Sequence, residues 1–315
     1  MPLSVPLELD GFKAIFKGRF ADNIAFTKLT IGKPIKEIRR NAFRGCSGLT
    51  EVHLPATLRK IEDSAFTRCS KIPSMILPES LVILGPAVFY DCLALQKLTI
   101  KGQIEGIPGK LFKGCIALTE VNIEKPELIT SIQYEVFRNC LALEEFVIPS
   151  GVLIIGERAF QNCRSLREIS FPKGLTKISE MTFYGCQELQ QIEFPDSLET
   201  IGRKAFSTCN RLSTLTFGNK LKSIGVGAFS YCSKLNSIDL PIGLESLGDN
   251  AFSYCKGLKR INIPGSLEEI PLRSFFGCSD LVNIKFAEGN RFIGKYTFMD
   301  CESLEELRLP QGLVR

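Results

Sequence analysis

Twelve cysteines are the residues of this sequence best suited to chemistry, and they fall on a lattice. They are Cys46, Cys69, Cys92, Cys115, Cys140, Cys163, Cys186, Cys209, Cys232, Cys255, Cys278 and Cys301; ten of the eleven intervals are 23 residues and one is 25. Thiols can bridge, bind metal or stay buried. Bridging fails on geometry. Equivalent residues on stacked coils are related by a translation of roughly 5 Å, and parallel side chains then hold their Cβ atoms too far apart. Metal binding fails on ligands, because no C-x-x-C occurs and His53 is the one histidine. The expected role is a buried free thiol, packed as a small hydrophobe with its weak S–H donor aimed at a carbonyl. Asn23 occupies the same slot one unit earlier, where its amide is expected to bond the backbone of adjacent coils.

The remaining chemistry-bearing residues make no constellation. His53 falls on an outward strand position and reads as exposed polar filler. The fragment Ile224–Phe229 resembles a glycine-rich phosphate loop only because Gly227 fills a variable place in the repeat. The adjacent carboxylates Glu144–Glu145 and Glu305–Glu306 read as a solvated face, since neighbours on a strand point to opposite sides. No nucleophile–base pair or metal set emerges. The expectation is a non-enzymatic chain without metal or cofactor.

What the cysteines do provide is a frame. Each has a phenylalanine three residues before it, from Phe43 to Phe298, and in eleven of twelve units a leucine three residues after it; Ile72 is the exception. The unit reads F-x-x-C-x-x-L-x-x-I-x-h-P-x-x-L-x-x-I-G-x-x-A-F, with h apolar. Phe12 and Ile15 begin a partial unit at one end, and Leu307, Leu309 and Leu313 a partial unit at the other. A fixed period of this length is the signature of a solenoid, whose coils bury one another's faces. The I-x-h stretch alternates apolar and polar residues and predicts a short strand, stacked in parallel with its neighbours. Proline ends it in eight of twelve units. The I-G-x-x-A-F segment predicts a turn followed by a helical or 3-10 turn. Gly85, Gly156, Gly202, Gly225, Gly248 and Gly294 are expected there for a backbone conformation that a side chain disfavours. The register never breaks, so residues 1–315 read as one domain of about thirteen coils. The two extra residues between Cys115 and Cys140 fall around Glu124–Leu128 and read as loop growth.

The motif C-x-x-L-x-x-I-x-h-P followed by I-G-x-x-A-F resembles that of the BspA-like leucine-rich repeat family. The resemblance covers nearly the whole chain. It implies an α/β, right-handed leucine-rich repeat solenoid, with a parallel sheet on the concave face and short turns on the convex one. It also implies surface proteins of anaerobic bacteria and some mucosal protozoa, often adhesive toward host proteins.

Composition narrows the partners. The net charge of +5 is mild and its cations are interleaved with acids, unlike a nucleic-acid stripe. No stretch approaches 18 consecutive apolar residues, so membrane insertion is not expected. Met1–Asp10 lacks the pattern of a signal peptide, and the chain reads as a piece of a longer one. Free thiols favour a reducing compartment, whereas the resemblance favours the cell surface. No Asn lies in an N-x-S/T sequon. The residues free to vary are those four, five and seven positions after each cysteine. They give an acidic middle (Glu120, Glu144, Glu145, Glu168, Glu193) and a basic end (Lys259, Arg260, Lys285, Arg308), with no aromatic among them. This face is expected to bind another protein, such as a host extracellular-matrix or serum protein. The alternative is the recognition domain of a cytoplasmic scaffold or effector whose activity lies outside this chain.

Overall fold

A computed structural model describes residues 13–314; Phe12 and the Met1–Asp10 segment lie outside the described residues. The molecule comprises two compact units, one ending at Gly151 and the other beginning at Val152. Each is a parallel β-solenoid in which every coil contributes up to two strands. The longer strand starts five residues after the cysteine. In the first unit Ser74–Leu77, Lys97–Ile100 and Glu120–Ile123 pair in parallel, as do Lys28–Thr30 and Glu51–His53. In the second unit Ser237–Asp239, Arg260–Ile263 and Asn283–Phe286 pair, as do Gln191–Glu193 and Thr214–Thr216.

A second ladder runs beside each of these, built from two-residue strands ending at the isoleucine or leucine before the glycine slot. Ala14–Ile15, Glu37–Ile38, Lys60–Ile61 and Ile83–Leu84 pair in sequence order in the first unit. Ile154–Ile155, Lys177–Ile178, Thr200–Ile201, Ser223–Ile224 and Ser246–Leu247 do so in the second. Each pairing is offset by one repeat, so identical positions stack and every apolar position meets its own kind. In Arg260–Ile263 the two isoleucines are buried and Arg260 and Asn262 are exposed.

The phenylalanines form the spine of this stack. Phe160, Phe183, Phe206, Phe229, Phe252, Phe275 and Phe298 lie nearly parallel, with successive centroids 5.1–5.7 Å apart. Phe20 to Phe137 make the equivalent column in the first unit. Such pairs contribute about 0.5–1.5 kcal/mol each beyond their buried area. The cysteines pack beside this column. All twelve are buried free thiols. The Cys69 Sγ donates to the Phe43 carbonyl of the preceding coil at 3.1 Å, and the same contact recurs in both units, as from Cys209 to Phe183 at 3.3 Å. The Phe43 oxygen also accepts the N–H of Cys46 in its own coil. Each lone pair of that carbonyl therefore has a partner, one within the coil and one across it.

The connecting segment is a run of turns; among the described residues the one 3-10 helix is Pro126–Leu128, inside the insertion. Its backbone donors explain why no helix continues. Alternate N–H groups close local turns, as from Cys46 to Phe43, while the others reach the next coil, as from Phe43 to Ala65 and Arg68 to Tyr90. Two residues per coil adopt left-handed φ, five positions and one position before the cysteine, among them Ser64, Arg68, Lys204 and Thr208. The predicted glycine role needs correction. Gly85, Gly202, Gly225, Gly248 and Gly294 are not in this left-handed set. They are required by proximity: a Cβ on Gly248 would lie 2.3 Å from the Val226 nitrogen of the preceding coil. Asn23 also differs from expectation, since its Oδ1 accepts the N–H of Ala25 in its own coil.

Candidate protein-binding face

The solvent side of the longer strands carries the residues that the repeat leaves free. Glu120, Glu144, Glu145, Glu168, Glu193, Lys259, Arg260, Lys285 and Arg308 are all exposed; Glu144 and Lys259 lie just before the strand position and Arg308 lies outside any strand. Glu120, Glu144 and Glu145 belong to the first unit and the other six to the second. Parallel pairing at one-repeat offset places like positions side by side, so charge on this face is read along rows that cross the coils.

In the first unit those rows are largely self-neutralised. Lys28 is opposite Glu51, at 2.8 Å, and Lys97 opposite Glu120, also at 2.8 Å. Lys101 meets Glu124 at 3.3 Å. His53 is exposed, as expected, and pairs with Glu51. The Lys28 ammonium, then His53, holds the Glu51 carboxyl below its ordinary range. Glu120 is thus half of a rung. The insertion adds a longer tie, in which Lys125 reaches Glu79 two coils away at 3.2 Å.

The second unit differs. Glu168, Glu193, Lys259, Arg260 and Lys285 make no ion pair among the described residues. Arg308 is the exception at the basic end, because its Nε is 2.8 Å from Glu306. That guanidinium holds the Glu306 carboxyl below its ordinary range. A polar hollow of about 330 Å³ brings together Glu168, Gln190, Gln191, Glu193, Thr214 and Thr216. Beside it, a groove of about 590 Å³ is lined by Phe171, Phe194 and Phe217 together with Lys173, Glu193 and Asp196. Phe171 and Phe217 are half-buried, and the three rings stack at 5.7 and 5.6 Å. This aromatic edge was missed in the sequence, where the three residues sit in the h slot and read as core. The available signal was three phenylalanines in successive h positions, where neighbouring coils carry leucine or isoleucine.

Among the described residues no three His, Cys, Asp or Glu side chains converge as metal ligands would, and no helix is long and apolar enough to cross a membrane. The thiols offer no nucleophile. Burial raises the Cys46 and Cys301 thiols to about 11 and drives the more central ones higher.

The model of the BspA type leucine-rich repeat region, six copies long, matches residues 13–141, 130–259 and 200–315. No curated protein matches the chain in sequence. Among solved structures, a leucine-rich repeat protein from Bacteroides ovatus is 27% identical with a TM-score of 0.82, over 95% of this chain and 83% of its own. A leucine-rich cell surface protein from Faecalibacterium prausnitzii is 25% identical with a TM-score of 0.54, over 90% of this chain and 78% of its own. A leucine-rich repeat protein from Eubacterium ventriosum shares the fold at 21% identity and a TM-score of 0.64, over 97% of this chain and 84% of its own. The family model spans the repeats that set the cysteines, the phenylalanine column and the strand rows, and the chain belongs to the BspA-type leucine-rich repeat family.

Proposed function

We propose that this chain is a non-enzymatic protein-binding module of a bacterial surface or secreted adhesion-type protein, engaging its partner through the solvent side of the longer strands. One observation carries the reading. The repeat fixes nearly every buried position, whereas the exposed strand positions differ from coil to coil, and Glu168, Glu193, Lys259, Arg260 and Lys285 there make no ion pair among the described residues. Extended solenoid surfaces of this kind are where repeat proteins bind. The cell-surface placement is supported by the description of the Faecalibacterium prausnitzii protein. The free thiols do not oppose it, since buried and neutral thiols resist oxidation in any compartment.

Host extracellular-matrix proteins are the partner class to test. Binding of the purified chain to immobilised matrix glycoproteins is measured by surface plasmon resonance. The E144K/E145K and E168K/E193K variants are compared with K295E on the turn side. The expected outcome is about tenfold weaker binding for at least one strand-face variant and unchanged binding for K295E. Equal affinity in all strand-face variants, or selective loss in K295E, removes this reading.

A further inference from the structure

We infer that the strand face around Lys259, Arg260 and Lys285 docks an extended acidic polypeptide segment carrying one apolar side chain. This rests on the strand-face reading and names the chemistry of its partner. Arg260 lies opposite Asn283 and Asn262 opposite Lys285, so the two cations sit diagonally on adjacent strands. That diagonal is roughly 8 Å, from a strand separation of about 4.8 Å and a two-residue step along the strand. Same-side side chains of an extended segment recur every ~7 Å, a close match. The cations are available. In the first unit the equivalent rows are closed by Lys28–Glu51 and Lys97–Glu120, but Lys259, Arg260 and Lys285 meet no acid among the described residues. The nearby Asp239 is already bonded by the Asn262 amide.

The patch is not purely ionic. Val282 is 56% exposed, and its N–H donates to the Lys259 carbonyl, which sets an apolar side chain beside the lysine. Asn262 and Asn283 add amide donors and acceptors between the cations. A nucleic acid or sulfated polysaccharide wants a continuous cationic track. Three cations separated by amides and a valine suit a polypeptide of alternating acids with an apolar anchor.

Fluorescence anisotropy of a short labelled peptide, alternating Glu and Ser around a central Leu, tests this on the full chain. Lysine-for-glutamate and serine-for-leucine versions of the peptide, and a heparin oligosaccharide, serve as comparison probes. The expected result is saturable binding of the first peptide, weakened about tenfold or more in K259E/R260E/K285E and severalfold in V282D. The lysine peptide is expected not to bind, and the serine peptide to bind more weakly. No binding, or binding unchanged in the triple variant, overturns the inference. So does a heparin preference insensitive to V282D, which marks a polyanion site. Circular dichroism of each variant confirms the fold. If this peptide fails while E168K/E193K still lowers matrix binding, the strand-face reading stands and only the partner chemistry falls.

Discussion

At the residue scale the cysteine is a two-way connector. Its N–H closes a turn onto the phenylalanine of its own coil, and its S–H meets the equivalent phenylalanine of the coil before. The role was legible in the sequence because strict translation excludes a bridge and the constant phenylalanine partner implies a shared packing job. Its consequence is low reactivity. Native protein is expected to react slowly with dithiobis-nitrobenzoate, at roughly one or two equivalents, since all twelve thiols are buried and those of Cys46 and Cys301 are raised less than those of Cys69 and Cys209. After denaturation all twelve should react at once. A native titration of six or more, or a mass deficit from disulfides, would contradict the burial seen here.

At the element scale, the sequence predicts a turn at I-G-x-x-A-F but not its left-handed positions. Five residues before the cysteine the left-handed position carries Ser64, Ala87, Lys110 and Glu135 among others, with no shared residue type, whereas one residue before it glycine, asparagine or aspartate recurs, as at Gly45, Asp91, Asn162 and Gly277. Left-handed conformation costs an L-residue about 1–2 kcal/mol, so turn-forming residues would be the usual sign. Here hydrogen bonds to the next coil offset that cost, as from Ser64 to Pro86 and Arg68 to Tyr90. The second ladder was hidden for a related reason. A two-residue strand such as Lys177–Ile178 contains one buried side chain, which is too little for a period to show. The glycines were seen, but their cause was misassigned, because proximity of a neighbouring coil leaves no local trace. Gly248→Ala tests the revised cause. Its Cβ would press on the Val226 backbone, and a loss of roughly 2–4 kcal/mol in urea unfolding is expected. Gly243→Ala, whose nearest atom would be 3.6 Å away, should change stability by about 0.5 kcal/mol or less. Equal effects of the two substitutions would refute coil-to-coil proximity as the reason for glycine.

At the scale of the whole molecule, twelve neutral buried thiols act together on stability. Burial raises the folded values of ten of them, all but Cys140 and Cys163, above that of an unfolded thiol, about 8.5. The unfolded chain therefore releases protons first as pH rises. Stability is full below about pH 8.5 and declines as pH climbs toward and through 11, by up to roughly 1.4 kcal/mol per pH unit for each thiol that ionises on unfolding. The urea midpoint should fall steeply between neutral and alkaline pH, and less steeply in a variant with several cysteines replaced by alanine. A flat midpoint, or an equal slope in that variant, would exclude the thiols as the cause. The strand face was legible in position but not in pairing. Sequence alone placed Glu120 and Arg308 on this face, yet could not show that Lys97 and Glu306 occupy them, because those contacts depend on rotamers across a rung or between residues two apart. The central claim, that the solvent side of the longer strands is the binding surface, is tested most directly by lysine-acetylation footprinting of the chain bound to an immobilised matrix protein. Protection of Lys259 and Lys285, with Lys204 and Lys295 on the turn side left reactive, is the expected result; protection of Lys204 and Lys295 with Lys259 and Lys285 unchanged would contradict it.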